Sequence, residues 1–428
     1  MSYQPLPPLS IPHLPSTFQG TITLDGSKSI TNRALIILSL AGVDPLQYIA
    51  GSSTSKDTQT LLRLLSSPTE TLWDAGDAGT TFRFLAAFLT LKPGEQVLTG
   101  TSGLQARPIG PLVDALQQMG VPVEYLQRVG FPPIRVGTLP TPVTGTHQVT
   151  IQASISSQFV SALLLIAPML PDGLELTLEG QVVSNPYIEL TLHLMRYFGA
   201  QWERNENTIR VLPVGYQPKT IRIEADWSAA SYWYSFVALA TPGANILLRG
   251  LHENSWQGDA ILPKMMEAFG VETNFGPNGV LITKVGPTKP FFEWDFNDCP
   301  DLAQTLAVTC AASGVQGLFS GLETLKIKET DRIAALKKEL SKVGVSFVKL
   351  PPHFNKRQPE KTYYMVEGSA QWDPPLSIET YHDHRMAMSC SALALLGPLQ
   401  IEQPDVVKKS YPSFWQDLNQ LFFPSTSP

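Results

Sequence analysis

Cysteine is scarce in this chain. Its three copies, Cys299, Cys310 and Cys390, are odd in number and lack CxxC spacing, which excludes a disulfide framework and a cysteine-based zinc site. A reducing cytoplasm is the compartment this usage implies. Histidine is thinly spread as well: the seven copies are scattered except for the "HDH" at 382–384, too weak a signal to specify a metal centre. No basic field exists either, since the formal net charge is −6, so the overall balance would not hold a nucleic acid. Any anion must be gripped locally. Long apolar runs are missing too. "FVSALLLIAPML" is broken by Ser and Pro short of the roughly 20 residues a spanning helix needs. The Pro-rich opening "MSYQPLPPLSIPHLPSTFQG" has no cationic start and no apolar stretch of leader length. The reading is of a cytoplasmic protein with neither a membrane nor a nucleic-acid partner.

What the chain does hold is a loose repeat. With 428 residues, 43% of them hydrophobic, it has material for two cores of about 200 residues each. Six segments share one grammar, in which a polar cluster suited to an N-cap leads into an Ala- and Leu-rich helix that closes at Gly. They are "SKSITNRALIILSLAG", "DAGTTFRFLAAFLTLKPG", "SISSQFVSALLLIAPMLPDG", "DWSAASYWYSFVALATPG", "DCPDLAQTLAVTCAASG" and "DHRMAMSCSALALLG". A second set of helices is amphipathic and runs through Gly into a Val- or Ala-led strand: "LVDALQQMGVPVE", "LTLHLMRYFGAQWE", "PKMMEAFGVETN" and "LKKELSKVGVSFV". Gly120, Gly199, Gly270 and Gly344 fit the left-handed position after a helix. "TQTLLRLL" and "FWQDLNQLF" are weaker members. The first kind of helix is apolar nearly all round and belongs inside, while the second carries a polar face. Six βαβ-type units follow, three per domain, with helices inside and sheets outside. The chain should cross between domains near Asp25 to Gly26 and near Glu224 to Asp226, giving one domain from 26–225 and another from 1–25 with 226–428.

Parallel buried helices whose N-termini all face one way would turn their positive dipole ends on a single cleft, and such an end attracts phosphate or carboxylate. The side chains at these starts extend that logic: Lys28 and Arg33, Thr80 and Arg83, Ser156 with Ser157 and Gln158, and Arg385. "ARPIG" adds Arg107, and "KETDR" adds Lys328 and Arg332. Arginine suits bidentate grip on carboxylate or phosphate, lysine point neutralisation. Asp301 and Glu329 lie among these cations, where acids stay ionised unless burial opposes it, and so qualify as bases. Each motif alone has a plainer reading. "SKSITNR" and "DHRMAM" could be caps ahead of core residues, "KETDR" a solvated helix start, "ARPIG" a turn. A non-catalytic anion-binding protein or a purely structural helical repeat would account for parts of the pattern. Joint presence and order favour chemistry.

Taken together, "GSKSITNRA", "DAGTTFR", "ARPIG", "SSQFVSALL", "SNPYIELT", "PDLAQTLA", "KETDRI" and "DHRMAM" resemble the 5-enolpyruvylshikimate-3-phosphate synthase family, the 3-phosphoshikimate 1-carboxyvinyltransferases, over almost the whole chain. The related UDP-N-acetylglucosamine enolpyruvyl transferases have Lys-Asn where this chain has Lys28-Ser29, and they lack the Lys-Glu-Thr-Asp-Arg motif. The resemblance implies a fold of two inside-out α/β barrel-like domains, each of three βαβαββ units with buried parallel helices and outer sheets. It implies transfer of the enolpyruvyl group of phosphoenolpyruvate to the 5-hydroxyl of shikimate 3-phosphate, by a monomer without metal or organic cofactor. By the same match, Lys28, Ser29, Arg33, Ser156, Ser157, Gln158, Ser184, Asp301 and Lys328 would hold shikimate 3-phosphate. Phosphoenolpyruvate would meet Lys28, Gly79, Arg107, Gln158, Arg332, Arg385 and Lys409. Asp301 would be the base, and Glu329 the proton donor to the methylene, with Lys28 sharing proton traffic. Three positions depart from the family pattern. Asp77 stands for a usual Asn beside the anion, which implies either weaker phosphoenolpyruvate binding or a nearby cation that neutralises it. Thr324 stands for an Asn ahead of "KETDR", so that contact is not carried over. Phe84 stands for a Pro after Arg83.

Overall fold

The computed structural model describes residues 7–67, 69–140, 145–354 and 361–424. The first six residues of the Pro-rich opening lie outside that range, as do residues 425–428 of the second expected domain. The described chain separates into two compact units. The middle unit is Gly26–Ile223, and the terminal unit is assembled from the segments on either side of it. Glu224 and Ala225, read from sequence as the end of the first domain, pack with the terminal unit. The Glu224 carboxylate accepts hydrogen bonds from Trp227 Nε1, the His252 amide, Ser255 Oγ and Gln257 Nε2 at 2.6–3.1 Å.

In the middle unit the helices are α1 (Lys28–Leu40), α2 (Lys56–Leu65), α3 (Gly79–Phe88), α4 (Ser102–Gln105), α5 (Gly110–Gln118), α6 (Ser157–Ile166) and α7 (Asn185–Tyr197). Helices α1, α3 and α6 are the apolar ones. They pack on one another, and most of their residues are buried. In the terminal unit the helices are α8 (Trp227–Leu239), α9 (Leu262–Met266), α10 (Ala303–Ser313), α11 (Arg332–Ser341), α12 (His384–Ser391) and α13 (Phe414–Phe422). There α8, α10 and α12 form the inner set, and every residue of α10 from Ala303 to Ala312 is buried. Each Leu or Ile removed from water in this way contributes about 1.5–3 kcal/mol, which is why a helix without a polar face ends up inside. The amphipathic helices α2, α5, α7, α11 and α13 keep one side exposed. Strands alternate buried and exposed residues, as His147–Gln152 does throughout, so each sheet shows one face to the helices and one to water. Gly120, Gly199, Gly270 and Gly344 all have positive φ, between 69° and 89°.

The sheets expose the repeat. Four of them have the same plan: a strand, a buried helix, a parallel strand beside the first, an amphipathic helix, then an antiparallel pair that extends the sheet. Leu72–Asp74 with Gln96–Thr99 begins one, His147–Gln152 with Leu174–Glu179 another, and Phe291–Asp295 with Gln316–Ser320 a third. In the fourth, the first strand comes from far away. Gln19–Thr23 pairs in parallel with Asn245–Arg249, while the strand ahead of α8, Ile221–Arg222, pairs in parallel with Ile49–Ala50. The two repeats at which the chain changes unit have therefore exchanged their leading strands. The last sheet also borrows: Leu376–Ile378 and Leu399–Ile401 lie parallel, and Leu9–Ile11 completes them antiparallel. Among the described residues no helix is long and apolar enough to cross a membrane.

Candidate functional site

The helix starts of the middle unit gather a set of cations held mostly by neutral partners, with Lys28 and Lys56 resting on carboxylates. Lys28, the first residue of α1, donates to Asp57 Oδ2 at 3.1 Å. Asp57 lies in the first turn of α2, 4% exposed, and its backbone carbonyl accepts from Thr81 Oγ1. The sequence reading did not foresee it, because an Asp after Ser55 in a helix start has an ordinary electrostatic explanation. Arg33 lies deeper. Its guanidinium is 2% exposed and donates to Thr191 Oγ1 (2.7 Å), the Ser29 carbonyl (2.9 Å), Ser161 Oγ (3.2 Å) and the Tyr187 carbonyl (3.2 Å), with Phe84 under it at 5.3 Å. Burial lowers its pKa to about 10, still charged at neutral pH. Phe84 thus fills the core beside Arg33, where the structure leaves it 1% exposed.

A second group surrounds the start of α3. Arg83 donates to Gln158 Oε1 at 3.1 Å and to the Pro108 carbonyl at 3.3 Å, and Gln158 in turn donates to Thr80 Oγ1 at 3.0 Å. Gly79 is the reason two arginines fit here. A β-carbon at this position would lie 2.6 Å from Arg83 Nη1 and 2.7 Å from Arg107 Nη1, so both guanidiniums close over the bare helix start. Ser156 caps α6 by accepting from the Gln158 amide, and Ser157 is buried beside it. Ser184, the N-cap of α7, is held at φ 55°, a conformation rare for a residue with a β-carbon and frequent where backbone strain serves a site. Asp77 does find a cation: Lys56 Nζ is 3.9 Å from its Oδ2, and Thr101 Oγ1 donates to Oδ1. Thr101 caps α4, the short helix that leads to Arg107.

The terminal unit concentrates charge of both signs. Arg332 is buried and divides its guanidinium among three acids: Nε to Asp383 Oδ2 at 2.7 Å, Nη2 to Glu329 Oε2 at 3.0 Å and Nη1 to Asp301 Oδ1 at 3.2 Å. Arg385 takes the other oxygen of Asp301 at 2.7 Å and also donates to Tyr232 Oη and the Asp301 carbonyl. Burial opposes the ionised form of Asp301, yet Arg385, Lys328 and Arg332 outweigh it and hold the carboxyl well below its usual range. Burial likewise works against the charge of Arg332, but Asp383, Glu329 and Asp301 more than compensate and raise its pKa. Lys409 stands 3.9 Å from the second oxygen of Glu329. Thr324 has a buried hydroxyl with no hydrogen-bond partner among the described residues.

Of the residues singled out from sequence, the structure joins Asp301, Lys328, Glu329, Arg332, Arg385 and Lys409 in the terminal unit. In the middle unit it joins Gly79, Arg107 and Gln158 through Arg83, and Ser29 to Arg33 within α1. Three members of the terminal cluster escaped the sequence reading. Tyr232 was hidden in an aromatic helix, Asp383 looked like a simple cap, and Asp259 carried no motif. Asp383 is indeed a cap, accepting from the Arg385 amide at 2.8 Å, but its other oxygen holds Arg332.

Comparison with known proteins places the chain in a family. A family profile described as EPSP synthase (3-phosphoshikimate 1-carboxyvinyltransferase) matches residues 63–418. The 3-phosphoshikimate 1-carboxyvinyltransferase of Bacteroides fragilis is 43% identical across 96% of this chain and 97% of its own. That of Vibrio campbellii is 35% identical across 94% and 97%. Among solved structures, EPSP synthase from Acinetobacter baumannii shares the fold, with a TM-score of 0.75 at 22% identity over 96% of this chain and 98% of that one.

Proposed function

The chain belongs to the EPSP synthase family, and from that membership we infer how its two clusters divide the family's reaction. The reaction is enolpyruvyl transfer from phosphoenolpyruvate to shikimate 3-phosphate in aromatic amino acid biosynthesis. Lys28, Ser29, Ser156, Ser157, Gln158 and Ser184 hold shikimate 3-phosphate, with Arg33 as the buried prop beneath Ser29, and Asp301 and Lys328 complete the set. Gly79, Arg107, Lys28, Gln158, Arg332, Arg385 and Lys409 take the phosphate and carboxylate of phosphoenolpyruvate.

Asp301 is the base for the 5-hydroxyl. One observation carries this reading: Asp301 and Glu329 share a single buried guanidinium, with a second guanidinium on Asp301 alone. Two arginines make Asp301 fully ionised but weakly basic. When the anionic groups of phosphoenolpyruvate draw on Arg332 and Arg385, that hold loosens and the carboxylate gains basicity as the hydroxyl approaches. Glu329 takes up a proton from solvent once phosphoenolpyruvate draws Lys409 and Arg332 away from it, and delivers that proton to the methylene carbon, so that the neighbouring carbon can accept the hydroxyl oxygen. The resulting tetrahedral ketal collapses when Glu329 takes a proton back from the new methyl group as the carbon–phosphate oxygen bond breaks, the proton on Asp301 leaving with the phosphate. Cations and helix starts stabilise the charge that develops, and fixed dipoles and charges of this kind commonly account for most of an enzyme's rate enhancement.

The test is release of inorganic phosphate from the two substrates together, with and without a chelator. Absence of release in both conditions defeats the reading. The same proposal takes the enzyme to be a monomer in a reducing cytoplasm. Three buried free thiols are consistent with that compartment, and sedimentation would check the monomer.

A further inference from the structure

Asp259 is a buried carboxyl for which the reaction above has no use. It is the second residue of the short turn Gly258–Ile261, is 3% exposed, and accepts a hydrogen bond from Ser228 Oγ on its Oδ2. Its Oδ1 is buried with no hydrogen-bond partner among the described residues. A carboxylate oxygen left dry and unpaired costs several kcal/mol if charged, so a neutral acid is the form this geometry tolerates.

The charged groups around it are settled by the packing. From the start of α8 come Asp226, which caps that helix through the Ala229 amide, and Ser228. From the turn ahead of α10 come Asp301 and the buried thiol of Cys299, and from α12 comes Arg385. On α9 the charged side chain is Lys264, which is exposed to solvent. Two neighbouring acids therefore oppose a charge on Asp259, and one arginine, already engaged by Asp301, favours it.

We propose that Asp259 is a positioning residue of the terminal cluster, kept protonated so that Arg385 serves Asp301 and the incoming anion instead of a third buried carboxylate. This rests on the enolpyruvyl-transfer reading only for its kinetic arm. Burial first, and then Asp301, push the Asp259 pKa up to about 7, with the Ser228 hydrogen bond and Arg385 pulling the other way. Above that pH the group ionises, draws on Arg385 and repels phosphoenolpyruvate.

The sign of the stability effect follows. The folded carboxyl keeps its proton where the unfolded one, near 3.8, has lost it. Stability contributed by the neutral form is complete below the unfolded value and declines as pH rises toward 7, then levels off.

Two measurements test this, one of them without substrate. Carbon-13 NMR of aspartate-labelled protein, titrated from about pH 5 to about pH 9, should show one carboxyl with a midpoint near 7. Its midpoint should fall in Asp301→Asn, which removes a neighbouring charge, and rise in Ser228→Ala, which removes support for the ionised form. No aspartate titrating in that window overturns the proposal whatever the enzyme catalyses. In the kinetic arm, KM for phosphoenolpyruvate in the wild type should climb about tenfold per pH unit above the midpoint. Asp259→Asn, a permanent mimic of the neutral acid, should abolish that climb. An unchanged climb in the variant overturns the positioning role. Should Asp259→Asn fail to fold, Ser228→Ala must displace the onset of the climb to higher pH, and an unmoved onset decides against the role.

Discussion

In the middle unit, the cations at the helix starts rest largely on hydroxyls, an amide and backbone carbonyls, as Arg33 does on Thr191, Ser161, Ser29 and Tyr187. In the terminal unit, Arg332 and Arg385 rest on carboxylates, with Asp301 held by both and Glu329 and Asp383 on Arg332. Both units are made from the same repeat, with three buried helices each. The contrast teaches that the repeat supplies helix ends and the residues at those ends decide their use. Neutral partners leave net positive charge for a ligand to neutralise. Ionised partners cancel it, and they provide groups that can exchange protons.

The sharpest way to break this contrast is to disable the acid side. Asp301→Asn should lower kcat by about 10²–10⁴-fold while shikimate 3-phosphate still shifts the melting temperature, a pair of readouts obtained by phosphate release and thermal scanning. Retained turnover would mean the terminal cluster is not where protons move. Next in size comes Arg332→Met, which removes the buried cation that three acids share and should cost about 3–5 kcal/mol of stability in urea titration. Its counterpart Arg33→Met strands only neutral groups and should cost less, about 1–3 kcal/mol. Equal losses would erase the distinction between the units. Gly79→Ala pushes a methyl into the space where Arg83 and Arg107 close over α3, so KM for phosphoenolpyruvate should rise about tenfold, or about 1.4 kcal/mol, with a smaller change in kcat. Smallest is Lys56→Met. This exposed pair with Asp77 contributes at most about 1 kcal/mol to stability, and its loss should show chiefly as weaker phosphoenolpyruvate binding, reversed by adding Asp77→Asn.

Much of the fold could be read from the chain because its signals are local. A helix that is apolar on every side has nowhere to go but the interior, and a Gly that ends an amphipathic helix has a conformation only it adopts cheaply. Both signals lie within about twenty residues. The exchange of leading strands is not local. Gln19–Thr23 and Ile221–Arg222 look like any other short strands, and nothing nearby in the sequence says that the first pairs with Asn245–Arg249 and the second with Ile49–Ala50. The same distinction governs the site. Lys28 and Arg385 were visible as cations at helix starts, and Arg107 and Lys328 as cations in the motifs between them. Asp57 and Asp383 were not, because an acid at a helix start already has a use and its second partner comes from elsewhere in the chain, and Asp259 was not because no motif surrounds it. Arg33, whose place in the motif suggested a hand held out to substrate, is engaged within its own unit by Thr191, Ser161, Ser29 and Tyr187.

The borrowed strands also set a timetable for synthesis. Leu9–Ile11 and Gln19–Thr23 leave the ribosome well ahead of Asn245–Arg249 and Leu399–Ile401, the segments that complete them. The middle unit, whose sheets draw only on its own residues, can close during that wait. The early strands must meanwhile pass most of translation with their hydrogen-bonding edges unsatisfied.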